Sequence, residues 1–68
     1  MNRNNLIFSS KINPELEDNC FDFLYNHVED WDVEKVYVQN VIIAPNEILF
    51  FSEIDDSETI IRVPVLID

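Results

Sequence analysis

The stretch 46-NEILFFSEIDD-56 decides how this chain is read. With the two-residue period of a strand, Ile48, Phe50, Ser52 and Ile54 share one face, while Leu49, Phe51 and Glu53 share the other. A half-buried strand alternates apolar and polar residues, whereas this one carries large hydrophobes on both faces. Such a strand needs cover on two sides, and a chain of 68 residues has little material to supply it.

Outward from this stretch the chain is β-rich. "VEKVYVQNVIIA", 33–44, is dense in β-branched residues. "PN", 45–46, turns the chain into the 47–54 run, and "DDSE", 55–58, turns it again, with acidic side chains able to bond the turn backbone. "TIIRVPVLID", 59–68, follows. Short connections between successive runs predict an antiparallel meander. Pro64 has no amide donor and marks an edge position or a bulge. The chain contains no glycine, so its turns fall to Asn, Asp, Ser and Pro. Two-residue hairpin turns favour Asn-Gly or Asp-Gly, so longer or type I turns are expected.

Upstream, "NLIFSS", 5–10, is a short candidate strand, and 12–31 reads as a helix. Asn13 caps it, Pro14 suits its first position, and Glu15, Glu17 and Asp18 suit the positive end of its dipole. At about 100° per residue, Leu16, Cys20, Phe23, Leu24, His27, Val28 and Trp31 gather on one side. Glu15, Asp18, Asp22, Asn26 and Glu29 gather on the other, and Tyr25 lies at the margin. The expected fold is α+β in a single domain, 1–68: a short N-terminal strand and one amphipathic helix packed on a three- to four-stranded, mainly antiparallel sheet, in the order β-α-β-β-β.

One helix covers one face of such a sheet. Every later strand keeps apolar residues for a second face. Ile61, Val63, Val65 and Ile67 oppose Ile60, Arg62, Pro64 and Leu66; Val36 and Val38, then Val41 and Ile43, oppose Tyr37, Gln39 and Ile42. The row with Leu49 and Phe51 is the one left for something outside the chain, which makes Tyr37, Leu49, Phe51 and Ile60 the candidate apolar interface. A chain this short buries roughly 60% of its unfolded surface. Its single cysteine, Cys20, permits no internal disulfide, so oligomerisation or a partner is the expected source of added stability.

Charge narrows the partner. Four basic and fourteen acidic residues give a net charge of −10. Such a charge repels nucleic-acid backbones and anionic membranes and speeds encounter with a basic protein. A hydrophobic fraction of 47% marks the chain as globular despite that charge. The N-terminal apolar stretch is too short for a secretory core, and with one free cysteine the expected compartment is the cytoplasm. The helix carries no Lys or Arg between Glu15 and Glu34, whereas surface helices usually mix signs. Asp18, Asp22, Glu29, Asp30 and Asp32, with Glu53, Asp55, Asp56 and Glu58 at the second turn, are the candidate partner-binding acids.

Catalytic and cofactor signals are absent from the sequence. Cys20 and His27 stand two helical turns apart, about 11 Å, too far for a nucleophile–base pair; Cys20 reads as core and His27 as its edge. "SEIDDSE", 52–58, lacks the glycine and ligand spacing of a calcium loop, so no metal or cofactor is expected. Without glycine there is no phosphate-cradling loop, and no enzyme activity is expected. In size and charge alone the chain resembles phage-encoded inhibitors that mimic nucleic-acid charge and immunity proteins that block nucleases. That resemblance implies an inhibitor or modulator of a basic nucleic-acid-handling protein, a nuclease for instance. The alternative is a homodimeric or accessory subunit, sheet packed on sheet, whose acidity only keeps it soluble.

Overall fold

The computed structural model describes residues 1–65; Leu66 and Ile67, expected in the last strand, and Asp68 lie outside the described residues. A short 3-10 turn, Arg3–Asn5, leads into β1, Leu6–Phe8. The helix α1, Pro14–Val28, carries the chain back to β2, Val36–Ile43, which is followed by β3, Glu47–Ile54, and β4, Ser57–Pro64. The four strands form one sheet in sequence order. β1 lies parallel to β2, the crossover being made by α1, and β2, β3 and β4 are antiparallel. This is the α+β architecture expected, with Pro64 on an edge strand as its missing donor requires.

Asn13 caps α1, its side chain accepting from the Glu15 amide at 2.8 Å. The helix stops at Val28, short of the expected Trp31. Glu29, Asp30 and Asp32 would place negative charge at the negative end of the dipole, which disfavours extension. The Met1 ammonium donates to the Glu29 carbonyl at 2.8 Å and offsets part of that charge.

The buried line of α1 is Cys20, Leu24 and Val28, with Leu16, Phe21, Tyr25 and Trp31 packed beside it. This corrects the expected stripe: Phe23 is 47% exposed, and His27 is exposed as well. The helix is rolled toward its other flank, where aromatic contacts hold it. Phe21 stacks on Phe8 at 5.9 Å and on Tyr25 at 6.4 Å, and Phe8 meets Phe50 edge-on at 6.3 Å. Arg3 closes this flank, its guanidinium 4.7 Å and 4.8 Å from the Phe21 and Tyr25 ring centres.

Opposite the helix, the core is Val36, Val38 and Val41 of β2, Ile48 and Phe50 of β3, and Ile61 and Val63 of β4. Ser52 is buried in the same row and satisfies its hydroxyl on the Phe50 carbonyl at 3.1 Å. The change of parity between Val38 and Val41 is made by a β-bulge: Val38 pairs with Ser52 and Asn40 with Phe51, leaving Gln39 extra. The Asn40 side chain accepts from the Val41 amide at 2.9 Å. Ile43, expected on the core row, is 62% exposed at the end of β2.

The β3–β4 turn also differs from expectation. Ile54 pairs with Ser57, so Asp55 and Asp56 alone make the turn, with φ of 47° and 69°. Positive φ at both central positions is the requirement of a type I′ hairpin turn. Aspartate meets it without glycine because its short polar side chain tolerates the left-handed region.

Candidate interaction surface

Cross-strand pairing fixes what faces away from the helix. Ile7 pairs with Tyr37, and Tyr37 with Glu53, which pairs with Glu58. Asn40, Phe51 and Ile60 form the next row, and Ile42, Leu49 and Arg62 the next. Directly paired residues share a face, so Tyr37, Leu49, Phe51 and Ile60 lie together, joined by Ile7 and Ile42. Ile60 is 54% exposed and Ile42 45%, while Leu49 and Phe51 are half-buried by their neighbours. Among the described residues no element lies over this face. The sequence reading missed Ile7 and placed Ile42 without singling it out; their signal was strand parity.

At one end of this apolar surface stands the acidic β3–β4 turn. Glu53 and Glu58 oppose each other directly across the strands. Like charges in that position destabilise a hairpin, and the two left-handed aspartates add local strain. Glu53 accepts from the Gln39 side-chain amide at 3.3 Å, and the Lys35 ammonium stands 5.5 Å from the Tyr37 ring centre. Two shallow clefts flank this end. One, about 430 Å³, is lined by Gln39, Phe51, Ser52, Glu58, Thr59 and Ile60; the other, about 370 Å³, by Glu34, Lys35, Tyr37, Glu53, Asp55 and Asp56.

The remaining acids lie elsewhere. Asp18 and Asp22 project from the exposed side of α1, and Glu29, Asp30 and Asp32 surround its C-terminal end. That side of α1 faces away from the sheet, so Asp18 and Asp22 stand apart from the acidic turn, whereas Glu29, Asp30 and Asp32 lie in the connection that enters β2 beside it, where Val36 pairs with Ile54 and Glu34 shares a cleft with Asp55 and Asp56. Asp22 is bound to Arg3 at 2.9 Å, so the helix row does find compensation within the chain. The second ion pair, Arg62–Glu47 at 2.7 Å, involves none of the candidate acids. Among the described residues Asp18, Glu29, Asp30, Asp32, Glu53, Asp55, Asp56 and Glu58 have no cationic partner.

Cys20 is buried and His27 exposed, its ring 5.9 Å from Trp31. Burial pushes the Cys20 thiol above its ordinary pKa, which suppresses the thiolate. Among the described residues no three His, Cys, Asp or Glu side chains converge to hold a metal ion, and no helix is long and apolar enough to cross a membrane. No protein-family model, curated protein or solved structure matches this chain.

Proposed function

We propose that this protein is a binding module that inhibits or modulates a basic, nucleic-acid-handling protein, docking through the open sheet face and the acidic turn beside it. One observation carries the reading: an apolar surface centred on Leu49, Phe51 and Ile60 abuts Glu53, Asp55, Asp56 and Glu58, none of which has a cationic partner within the described chain. An apolar centre with a charged rim is the usual anatomy of a protein interface. The sign of that rim, with the net charge of −10, favours a basic partner over an acidic one. In this arrangement the turn carboxylates take the place of phosphates. Asp18, on the outer side of α1, acts through the long-range field, and Glu29, Asp30 and Asp32, in the connection entering β2 at the turn's end of the sheet, add to the same negative end.

Affinity capture from lysate, read by mass spectrometry at low and high salt, tests this reading. Wild-type protein is expected to retain basic nucleic-acid-binding proteins and to release them as salt rises. Phe51→Asp, and separately the set Glu53→Gln, Asp55→Asn, Asp56→Asn and Glu58→Gln, are expected to lose them, whereas Asp18→Asn is expected to keep them. Retention unaffected by salt and by both surface changes would refute the reading.

A further inference from the structure

We propose that β4 is a self-recognising edge, through which two copies of the chain pair antiparallel and extend the sheet across a two-fold axis. Among the described residues no strand pairs with β4 on its outer side. The backbone phase of that edge follows from the inner side. The Val65 amide donates to the Asn46 carbonyl at 3.0 Å, and Ile48–Val63 and Phe50–Ile61 continue the same phase. In an antiparallel ladder the residues between such pairs direct both amide and carbonyl the opposite way. Glu58, Ile60 and Arg62 therefore present free donors and acceptors to the open edge. Pro64, which has no donor, is next in that series and ends it.

The side chains of these three residues make the edge complementary to itself. Antiparallel pairing about Ile60 sets Ile60 against Ile60 of the second copy, and Glu58 against its Arg62, twice by symmetry. Opposite charges in directly paired positions stabilise, and the two isoleucines add an apolar contact between them. A register moved by two residues sets charge against isoleucine. One moved by four sets Glu58 against Glu58 or Arg62 against Arg62. Charges usually protect an exposed edge, but here their placement excludes the wrong registers and admits one. The Arg62 side chain, although bonded to Glu47, is 68% exposed and has donors to spare.

This dimer does not rest on the proposed function, although it shares Glu58 and Ile60 with that docking surface, and salt separates the two. Net charge opposes self-association of two copies at −10 each, so screening should tighten the dimer while it weakens binding to a basic partner. Sedimentation equilibrium from micromolar to millimolar concentration tests it. Wild-type protein is expected to dimerise, more tightly at higher salt. Arg62→Glu and Glu58→Arg are each expected to weaken the dimer at least about tenfold, since each places like charges opposite at two points. The double variant Glu58→Arg/Arg62→Glu is expected to restore it. In the wild type, the Glu58, Ile60 and Arg62 amides should exchange more slowly as concentration rises, a readout independent of any variant. A wild-type monomer throughout, a dimer indifferent to both single changes, failure of the folded double variant to dimerise, or loss of the dimer in Phe51→Asp but not in Arg62→Glu would overturn the proposal.

Discussion

Phe50 and Phe51 are neighbours in one strand and live in different environments. Phe50 is sealed between α1 and the sheet, touching Phe8 edge-on, whereas Phe51 lies half-buried on a face with no element over it. Both sides of the sheet carry large hydrophobes, but they differ in cover. The inner side is closed by an element of the chain, and its residues explain the fold. The outer side interleaves Tyr37, Ile42, Leu49 and Phe51 with Gln39, Asn40, Glu47 and Glu53, and among the described residues no element covers it.

The sharpest way to break this contrast is to truncate each phenylalanine. Phe50→Ala should cost about 3–5 kcal/mol, comparable to the whole net stability of about 3–5 kcal/mol that a core of this size supplies. The variant should lose cooperative unfolding in urea. Phe51→Ala should cost about 1 kcal/mol, the loss of a half-buried ring, and should unfold cooperatively. Equal losses would mean that both faces are structural.

The N-terminal flank sharpens the account of the inner side. Arg3→Ala removes a cation from the faces of Phe21 and Tyr25 and frees Asp22. Both contacts are largely exposed, so the expected loss in chemical denaturation is about 1 kcal/mol. Arg3→Lys should recover only part of it, because the planar guanidinium is what stacks.

The acidic turn belongs to the outer side, and its strain should be separable from the fold. Asp56→Gly relieves a left-handed non-glycine residue and removes one charge from a crowded end. It should raise stability by about 0.5–1 kcal/mol while weakening partner binding. A gain in stability with binding unchanged would remove Asp56 from the interface.

The smallest expected effect concerns Cys20. Its buried thiol holds its proton above the ordinary value near 9.0, while the unfolded chain releases it there. Above that value the folded state binds more protons than the unfolded one, so stability falls as pH rises. The fall between pH 8 and 10 should be shallower in Cys20→Ala than in wild type, read by thermal melts at each pH.

The strands were legible because their parity is strong. The 47–54 run matches β3 end to end, and the Ile48/Phe50 row does face the helix. The roll of α1 was not legible. Its stripe can be centred on either flank, and the choice was made by Arg3, Phe8 and Phe21, contacts distant in sequence. The turn at Asp55–Asp56 was misread because glycine is the stronger signal for positive φ, although aspartate adopts it too. The apolar surface followed from alternation alone, but which acids lie near the turn and which stand apart on α1 needed the packing of helix on sheet.

In the proposed function a partner sits on the open sheet face with its acidic turn. Backbone amide shifts of labelled protein, recorded with and without the basic protein recovered by affinity capture, test it most directly. Shifts are expected at Tyr37, Leu49, Phe51, Glu53, Asp56 and Ile60, with the exposed side of α1 unchanged. Shifts confined to Asp18, Asp22 and Glu29, with Leu49 and Phe51 unmoved, would contradict it.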